Sequence, residues 1–404
     1  MTTAHQSRRP AILYIASRLP ELSETFVYRE LFGLRGRGRR VLGASVRAPR
    51  GNVGDEATTM LAREVVIAYS RRTFTALPFA FISNPAALAQ ALIDAVRADH
   101  PTLKSRLKHV FQAMMGLGLG WRARNQGIAH VHAHMAHVPA MVGLYAARIL
   151  GARFSFTGHA ADLFVQRSAL RFKLDEADFV SSISNWHQQF YREIGEPTTL
   201  RTPLVRCSVA VPAEIGERGR DVVTVARLVR KKGIDLLISA FATAALPGWR
   251  LRIIGDGPER ASLERQAVAL DLGDRVTFEG AMPHARCLEA IAASGMFVLP
   301  CRTAENGDQD GIPVVLMEAM AAARPVIAGD LPTLRELVRH GETGLRVEPS
   351  RNEDLVAAMQ RIAADAEYAR LLGANARALV EREFSDEVNL TRLCAALDHA
   401  AVNA

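Results

Sequence analysis

Short runs of consecutive apolar residues alternate along the chain with longer segments whose apolar positions recur three and four residues apart. The short runs, rich in Val, Ile, Leu and Phe, have the character of strands buried on both faces, and the longer segments that of covering helices. Strands are expected near residues 11–16, 40–44, 129–132, 153–156 and 179–183, with helices at 25–34, 138–150 and 185–193. A second series places strands at 221–226, 251–254, 276–279, 296–299 and 325–327, with helices at 234–244, 258–270, 284–293 and 314–322. Such alternation predicts an α/β chain with parallel sheets covered on both sides. Pro212, Gly216 and Gly219 sit among charged residues between the two series. They predict a hinge at 212–220 joining a domain of residues 1–211 to one of 221–384. A last helix, 385–401, follows Phe384 and is expected to pack back on the first domain.

Composition changes this picture little. A chain of 404 residues with 49% hydrophobic content can build two cores. The four cysteines form no CxxC, which points to neither a disulfide framework nor a zinc ribbon. The opening MTTAHQSRRP runs into the first strand without a separate apolar stretch, so a cytoplasmic chain is expected. No segment reaches the roughly 18 apolar residues of a membrane span; 74–93 is broken by Ser83, Asn84, Pro85 and Gln90.

Charge raises the question of partners. The net charge is +8, and Arg35, Arg37, Arg39, Arg40, Arg47 and Arg50 cluster without an acid. Residues 102–122 mix Lys104, Arg106 and Lys108 with Leu103, Leu107, Phe111, Met114, Met115 and Leu117. That pattern fits either peripheral contact with an anionic membrane or a helix packed on its own domain. Nucleic acid is not expected, because only 6% of residues are aromatic and no recognition motif occurs.

Candidate chemistry concentrates where strands end, the usual ligand edge of a parallel sheet. Arg227 and Lys232 follow the 221–226 strand in VARLVRKKG, either as a diphosphate cradle or as a solvated basic turn. GDGPER follows the 251–254 strand, where Gly255 and Gly257 permit close backbone approach and Pro258 suits a helix start. In DGIPVVLMEAM, Asp310, Gly311, Ile312 and Pro313 enter a helix whose N-terminus favours anions, while Glu318 lies among apolar residues and needs a partner. These segments together read as a sugar-nucleotide site.

In the first half, His159 of FTGHAADLF follows a strand, and a neutral imidazole there can donate to a sugar hydroxyl. Asp162 is placed to orient that ring or to bind acceptor hydroxyls. Ser23 and Thr25 of SRLPELSET, together with His134, are further cleft-lining candidates. His130, His132 and His134 share one face of a strand, but without a cysteine or HExxH, so no metal site is assigned. Asp308 and Asp310 alone are weak evidence for a divalent cation.

With these motifs in view, the chain resembles the retaining glycosyltransferases of family 4. The resemblance implies a GT-B fold, two Rossmann-like parallel-sheet domains facing across a cleft, with an acceptor-binding first domain and a donor-binding second. It implies that Arg227 and Lys232 hold the donor diphosphate and that residues 255–258 match the family's GxGP loop. Asp310 and Glu318 stand in its E-x7-E element, near the donor sugar and the ribose, and His159 matches the active-site histidine. Aspartate replaces the first glutamate, and Ala323 in AAARP stands where glycine is usual, with a local packing effect expected. RLPELSETFVYRE, HAH and FTGHAADLF resemble enzymes of the colanic-acid and exopolysaccharide type. These imply a nucleotide sugar as donor substrate, a glycan acceptor that is lipid-linked, no cofactor and no metal. A soluble small-molecule acceptor, a non-hydrolysing nucleotide-sugar epimerase and a silent binding protein remain the competing readings.

Overall fold

The computed structural model describes residues 10–21, 24–49, 56–159, 161–164, 168–194 and 200–402. The chain divides into two compact units, Met1–Val205 with Leu390–Ala404, and Arg206–Asn389. The division thus falls at Val205, ahead of the glycine- and proline-marked segment 212–220, which belongs to the second unit.

The first unit holds β1 (Ala11–Ala16), β2 (Arg40–Ser45), β3 (Val66–Ile67), β4 (Ile128–His134), β5 (Arg153–Thr157) and β6 (Phe179–Ser181). They form one sheet in the order β3-β2-β1-β4-β5-β6, with every pair parallel. The second unit holds β7 (Asp221–Val225), β8 (Arg250–Ile254), β9 (Val276–Gly280), β10 (Met296–Leu299), β11 (Val326–Gly329) and β12 (Leu345–Val347). Its order, β12-β11-β10-β7-β8-β9, repeats the first when counted from β7. Each unit is therefore a Rossmann-like sheet whose strand order reverses once, between β1 and β4 and between β7 and β10. Strands β1 and β10, covered on both faces, are apolar and buried along their whole length.

The edge strands β3 and β12 have only two and three residues and carry no readable periodicity, which is why the sequence pattern does not reveal them. Helices Asn352–Ala364 and Ala366–Leu379 continue the chain after the last predicted strand and add to the expected elements. The final helix, Asp386–Val402, begins with the second unit. Its remainder packs Leu393, Ala396, Leu397 and Ala400 into the first unit's core beside Ile12, Tyr14 and Leu31.

Helix Leu103–Ala123 differs in burial between its halves. Ala113 and Met115–Gly120 are buried, whereas Leu103 and Leu107 are 72% and 64% exposed. The neighbouring helices Leu77–Ser83 and Pro85–Arg97 also present apolar side chains to solvent, among them Phe79, Ile82 and Val96. Among the described residues no single helix is long and apolar enough to cross a membrane; Arg71–Ser83 and Pro85–Arg97 are bent by 106°.

Ala323 adopts φ +55, the left-handed region. The departure from glycine in AAARP is therefore a backbone matter, costing about 1–2 kcal/mol for a residue with a Cβ, rather than the packing effect expected from sequence.

Candidate functional site

In the second unit the candidate residues gather beyond the C-terminal ends of β7, β8 and β10. Arg227 is exposed, and among the described residues its guanidinium makes no hydrogen bond or ion pair. Lys232 is placed differently. Its Nζ donates to Asp310 Oδ2 at 2.8 Å, and Lys231 Nζ lies 3.5 Å from Asp310 Oδ1 and 3.1 Å from Asp308 Oδ1. The buried Cys301 thiol donates to Asp310 Oδ2 at 3.0 Å, and Thr333 Oγ1 to the Asp310 carbonyl at 2.8 Å. Burial pushes the Asp310 carboxyl up, but Lys232 and Lys231 outweigh it and hold the group below the usual carboxylate range. Burial pushes Lys232 down, and Asp310 reverses this, so its ammonium is kept charged. Burial and Asp310 push the Cys301 thiol well up, which keeps it a protonated donor.

The 255–258 loop lies against the segment after β7: Leu228 N donates to Asp256 O at 3.0 Å and Glu259 N to Leu228 O at 3.1 Å. A Cβ on Gly257 would fall 2.3 Å from the Leu228 carbonyl oxygen, and one on Gly255, at φ +134, 1.9 Å from that of Ala226. The glycines thus answer to the approach of two loops. Pro258 precedes helix Arg260–Ala269 rather than opening it. Gly311, Ile312 and Pro313 are buried where the chain enters helix Val314–Ala321. Glu318 is 8% exposed, and its carboxylate meets His284 Nε2 at 2.7 Å.

In the first unit, the strand alternation sets His130, His132 and His134 toward Tyr14 and Phe179. His130 Nε2 and His132 Nδ1 share Ser155 Oγ at 2.6 and 2.7 Å, and His132 Nε2 reaches Thr157 Oγ1 at 3.1 Å. Phe179 stacks on both rings. His134 ends the strand. Its Nε2 meets Glu30 Oε1 at 3.1 Å and the Tyr14 hydroxyl, and its Nδ1 meets His159 Nε2 at 3.0 Å. Since Glu30 accepts from His134 Nε2–H, His134 Nδ1 is the acceptor and His159 Nε2 the donor. Glu30, His132 and His134 bring three potential ligand atoms within 4.8 Å of one another, each engaged in these hydrogen bonds.

His159 is 7% exposed, and burial, followed by His134, His187 and His137, holds its pKa well below the ordinary value, so the ring is neutral. Asp162 is buried and accepts from the backbone N–H of His159 at 3.1 Å and of Ala136 at 2.7 Å, tying together the loops after β5 and β4. Thr25 is buried at the start of helix Thr25–Gly36, and Ser23 lies outside the described residues.

Residues 211–379 match the family model described as glycosyl transferases group 1, a span within the second unit. The chain is 32% identical over 256 residues to the GDP-mannose-dependent alpha-(1-6)-phosphatidylinositol monomannoside mannosyltransferase of Mycobacterium tuberculosis, covering 59% of this chain and 66% of that protein. It is 33% identical over 174 residues to the putative colanic acid biosynthesis glycosyltransferase WcaL of Escherichia coli, covering 42% of each. The chain thus spans less than two thirds of these curated relatives. Among solved structures, a sucrose-phosphate synthase from Thermosynechococcus elongatus superposes over 98% of this chain and all of that one, with TM-score 0.72 and 21% identity. The fold is GT-B.

Several residues of this GT-B chain escape sequence reasoning. Cys301, His284, Glu30 and Tyr14 contact the candidate residues from 9, 34, 104 and 120 positions away. The one available signal was that Glu318, acidic among apolar neighbours, required a partner. Nothing in the local pattern named His284.

Proposed function

We propose that the protein is a retaining family 4 glycosyltransferase that moves a sugar from a nucleotide diphosphate donor, UDP- or GDP-linked, to a hydroxyl of a glycan acceptor. The acceptor in this reading is a lipid-diphosphate-linked oligosaccharide of cell-surface polysaccharide synthesis. The observation that carries the reading is the pairing of an unengaged Arg227 with a Lys232 held charged by Asp310, both beyond the switch point of the second sheet. A leaving diphosphate gains charge as the glycosidic bond stretches, and cations fixed at that spot stabilise it. The relatives named above, a mannosyltransferase using GDP-mannose and a putative colanic-acid enzyme, support the class of reaction.

In this reading the departing phosphate oxygen takes the acceptor's proton on the same face, so no protein nucleophile is needed. Asp310 contacts the donor sugar and keeps Lys232 charged, and Glu318, oriented by His284, takes the ribose hydroxyls. His159, neutral and aimed by His134 and Glu30, serves the sugar and acceptor hydroxyls. Replacing His159 with Ala is expected to lower turnover about 100-fold with nucleotide affinity nearly unchanged. Wild-type turnover in that variant would return His159 to a purely structural role.

Calorimetric titration with UDP, GDP and ADP in the presence of EDTA tests the reading. Selective micromolar binding of one nucleotide supports a metal-independent donor site, whereas no binding of any of the three removes it. For the acceptor side, the exposed Leu103 and Leu107 share helix Leu103–Ala123 with Lys104, Arg106 and Lys108, and Phe79 and Ile82 are exposed on helix Leu77–Ser83, as expected for contact with an anionic bilayer. Ile82→Ser with Leu103→Ser is expected to cut co-sedimentation with phosphatidylglycerol vesicles several-fold. Equal sedimentation of variant and wild type would leave the acceptor without a membrane context.

A further inference from the structure

The second sheet has a cavity of about 1130 Å³ at its other edge. Its strands are parallel, so the N-terminal edge lies opposite to the one that carries Arg227, Gly255 and Asp310. Arg218 and Arg220 enter the cavity just ahead of β7, Trp249 ahead of β8 and Arg324 ahead of β11, and helix Ala366–Leu379 adds Arg370. Among the described residues no Asp or Glu lines it, and none of these four arginines forms an ion pair.

Arg324 is 3% exposed and donates only to carbonyl oxygens, those of Gly216 at 2.7 Å, Ala322 at 2.9 Å and Ser294 at 3.4 Å. Arg218 makes one long bond, to Ile362 O at 3.4 Å, and its Nη1 is buried without a partner. Carbonyl dipoles satisfy donors but carry no net charge. A buried guanidinium and a half-buried one therefore lie side by side without a counter-charge, an arrangement that an anion would relieve. Burial holds both below the ordinary arginine range, and Arg218 depresses Arg324 further. The rest of the wall is largely apolar, formed by Ile215, Leu246, Pro247, Trp249 and several alanines.

We propose that this cavity binds a small organic phosphate, its phosphoryl group between Arg218 and Arg324 and its apolar body along Trp249 and Leu246. A phosphate dianion supplies the counter-charge that both guanidinium groups lack and an acceptor for Arg218 Nη1. The site is separate from the candidate donor site, and the inference does not depend on the glycosyl-transfer reading.

Calorimetry of the full chain with phenyl phosphate, and with inorganic phosphate alongside it, tests the proposal. Phenyl phosphate is expected to bind about tenfold tighter than inorganic phosphate, because only the ester uses the apolar wall. Arg218→Gln should weaken phenyl phosphate about tenfold or more, and Arg227→Ala, at the opposite edge, should leave it unchanged. Arg370→Gln, at an exposed residue that makes no hydrogen bond or ion pair among the described residues, supplies a second variant that should weaken binding should Arg218→Gln fail to fold. Three results would overturn the proposal. One is no binding of phenyl phosphate at about 10 mM; another is equal affinity for the two probes. The third is binding that Arg227→Ala abolishes and the cavity variants leave intact.

Discussion

Arg227→Ala is expected to lower kcat/KM for the nucleotide sugar by about 100-fold or more while leaving the melting temperature unchanged. The two halves of this result have separate causes. Arg227 is exposed and makes no bond within the described fold, so its removal takes nothing from folding. Its guanidinium is free to meet a diphosphate, and loss of a charged group that acts on the leaving group appears almost wholly in the rate. Lys232→Ala should lose a comparable amount of activity and, unlike Arg227→Ala, also lose stability. It strips the 2.8 Å partner from a buried Asp310 carboxylate, and orphaning one member of a buried pair costs about 3–5 kcal/mol. Lys231, at 3.5 Å from the same carboxylate, moves the expected loss toward the low end. The double variant Lys232→Met with Asp310→Asn removes both charges and should regain most of the stability without regaining turnover. Steady-state kinetics and thermal unfolding of the three variants check this. Equal melting of Arg227→Ala and Lys232→Ala would show that the ion pair contributes nothing to the fold, and unchanged kcat/KM in both would remove the phosphate assignment.

The first unit is expected to unfold on acidification between about pH 6 and pH 4.5, ahead of the second. Burial holds His109 and His130 down to about 4, and holds His132 and His159 well below the ordinary value of 6.5. Their folded pKa values are lowered, so below pH 6.5 the unfolded chain takes up protons that the folded chain does not. Each group then weakens folding by about 1.4 kcal/mol per pH unit, and the effect continues until the folded pKa is reached. Four such groups in one unit would exhaust an ordinary domain stability of about 5–15 kcal/mol within a few pH units. In the second unit Asp310 shifts in the same direction, but from the carboxylate range rather than the imidazole range. Its lowered carboxyl keeps its contribution until the pH falls through and below the carboxylate range. Hydrogen exchange followed by mass spectrometry along a pH series would resolve the two units. His109→Gln should reduce the pH slope by about one proton. Simultaneous loss of protection in both units below pH 4 would contradict the expectation.

How much of this was legible from the chain differs from residue to residue. Apolar runs such as 11–16 and 296–299 are strands because nothing polar interrupts them, and their alternation with helical segments predicts two parallel sheets. Arg227, Gly255 and Asp310 could be marked as candidates because each follows a strand end, a position that parallel topology turns toward ligands. The alternation His130, His132, His134 likewise placed three rings on one face. What it could not divide was their roles. Ser155 and Phe179, brought alongside by the sheet, engage His130 and His132, while Glu30 and His159 engage His134.

The sequence by itself thus determined the fold class, the repetition of the sheet and the loops on which charged groups would appear, because periodicity and strand ends are local properties of the chain. Only the tertiary structure decided which charges meet. Lys232 and Asp310 are 78 residues apart, His284 and Glu318 are 34 apart, and the arginines of the cavity come from segments between 218 and 370. Burial decides whether such a group is neutral, paired or left without a counter-charge, and burial is set by contacts between distant segments that no local pattern encodes.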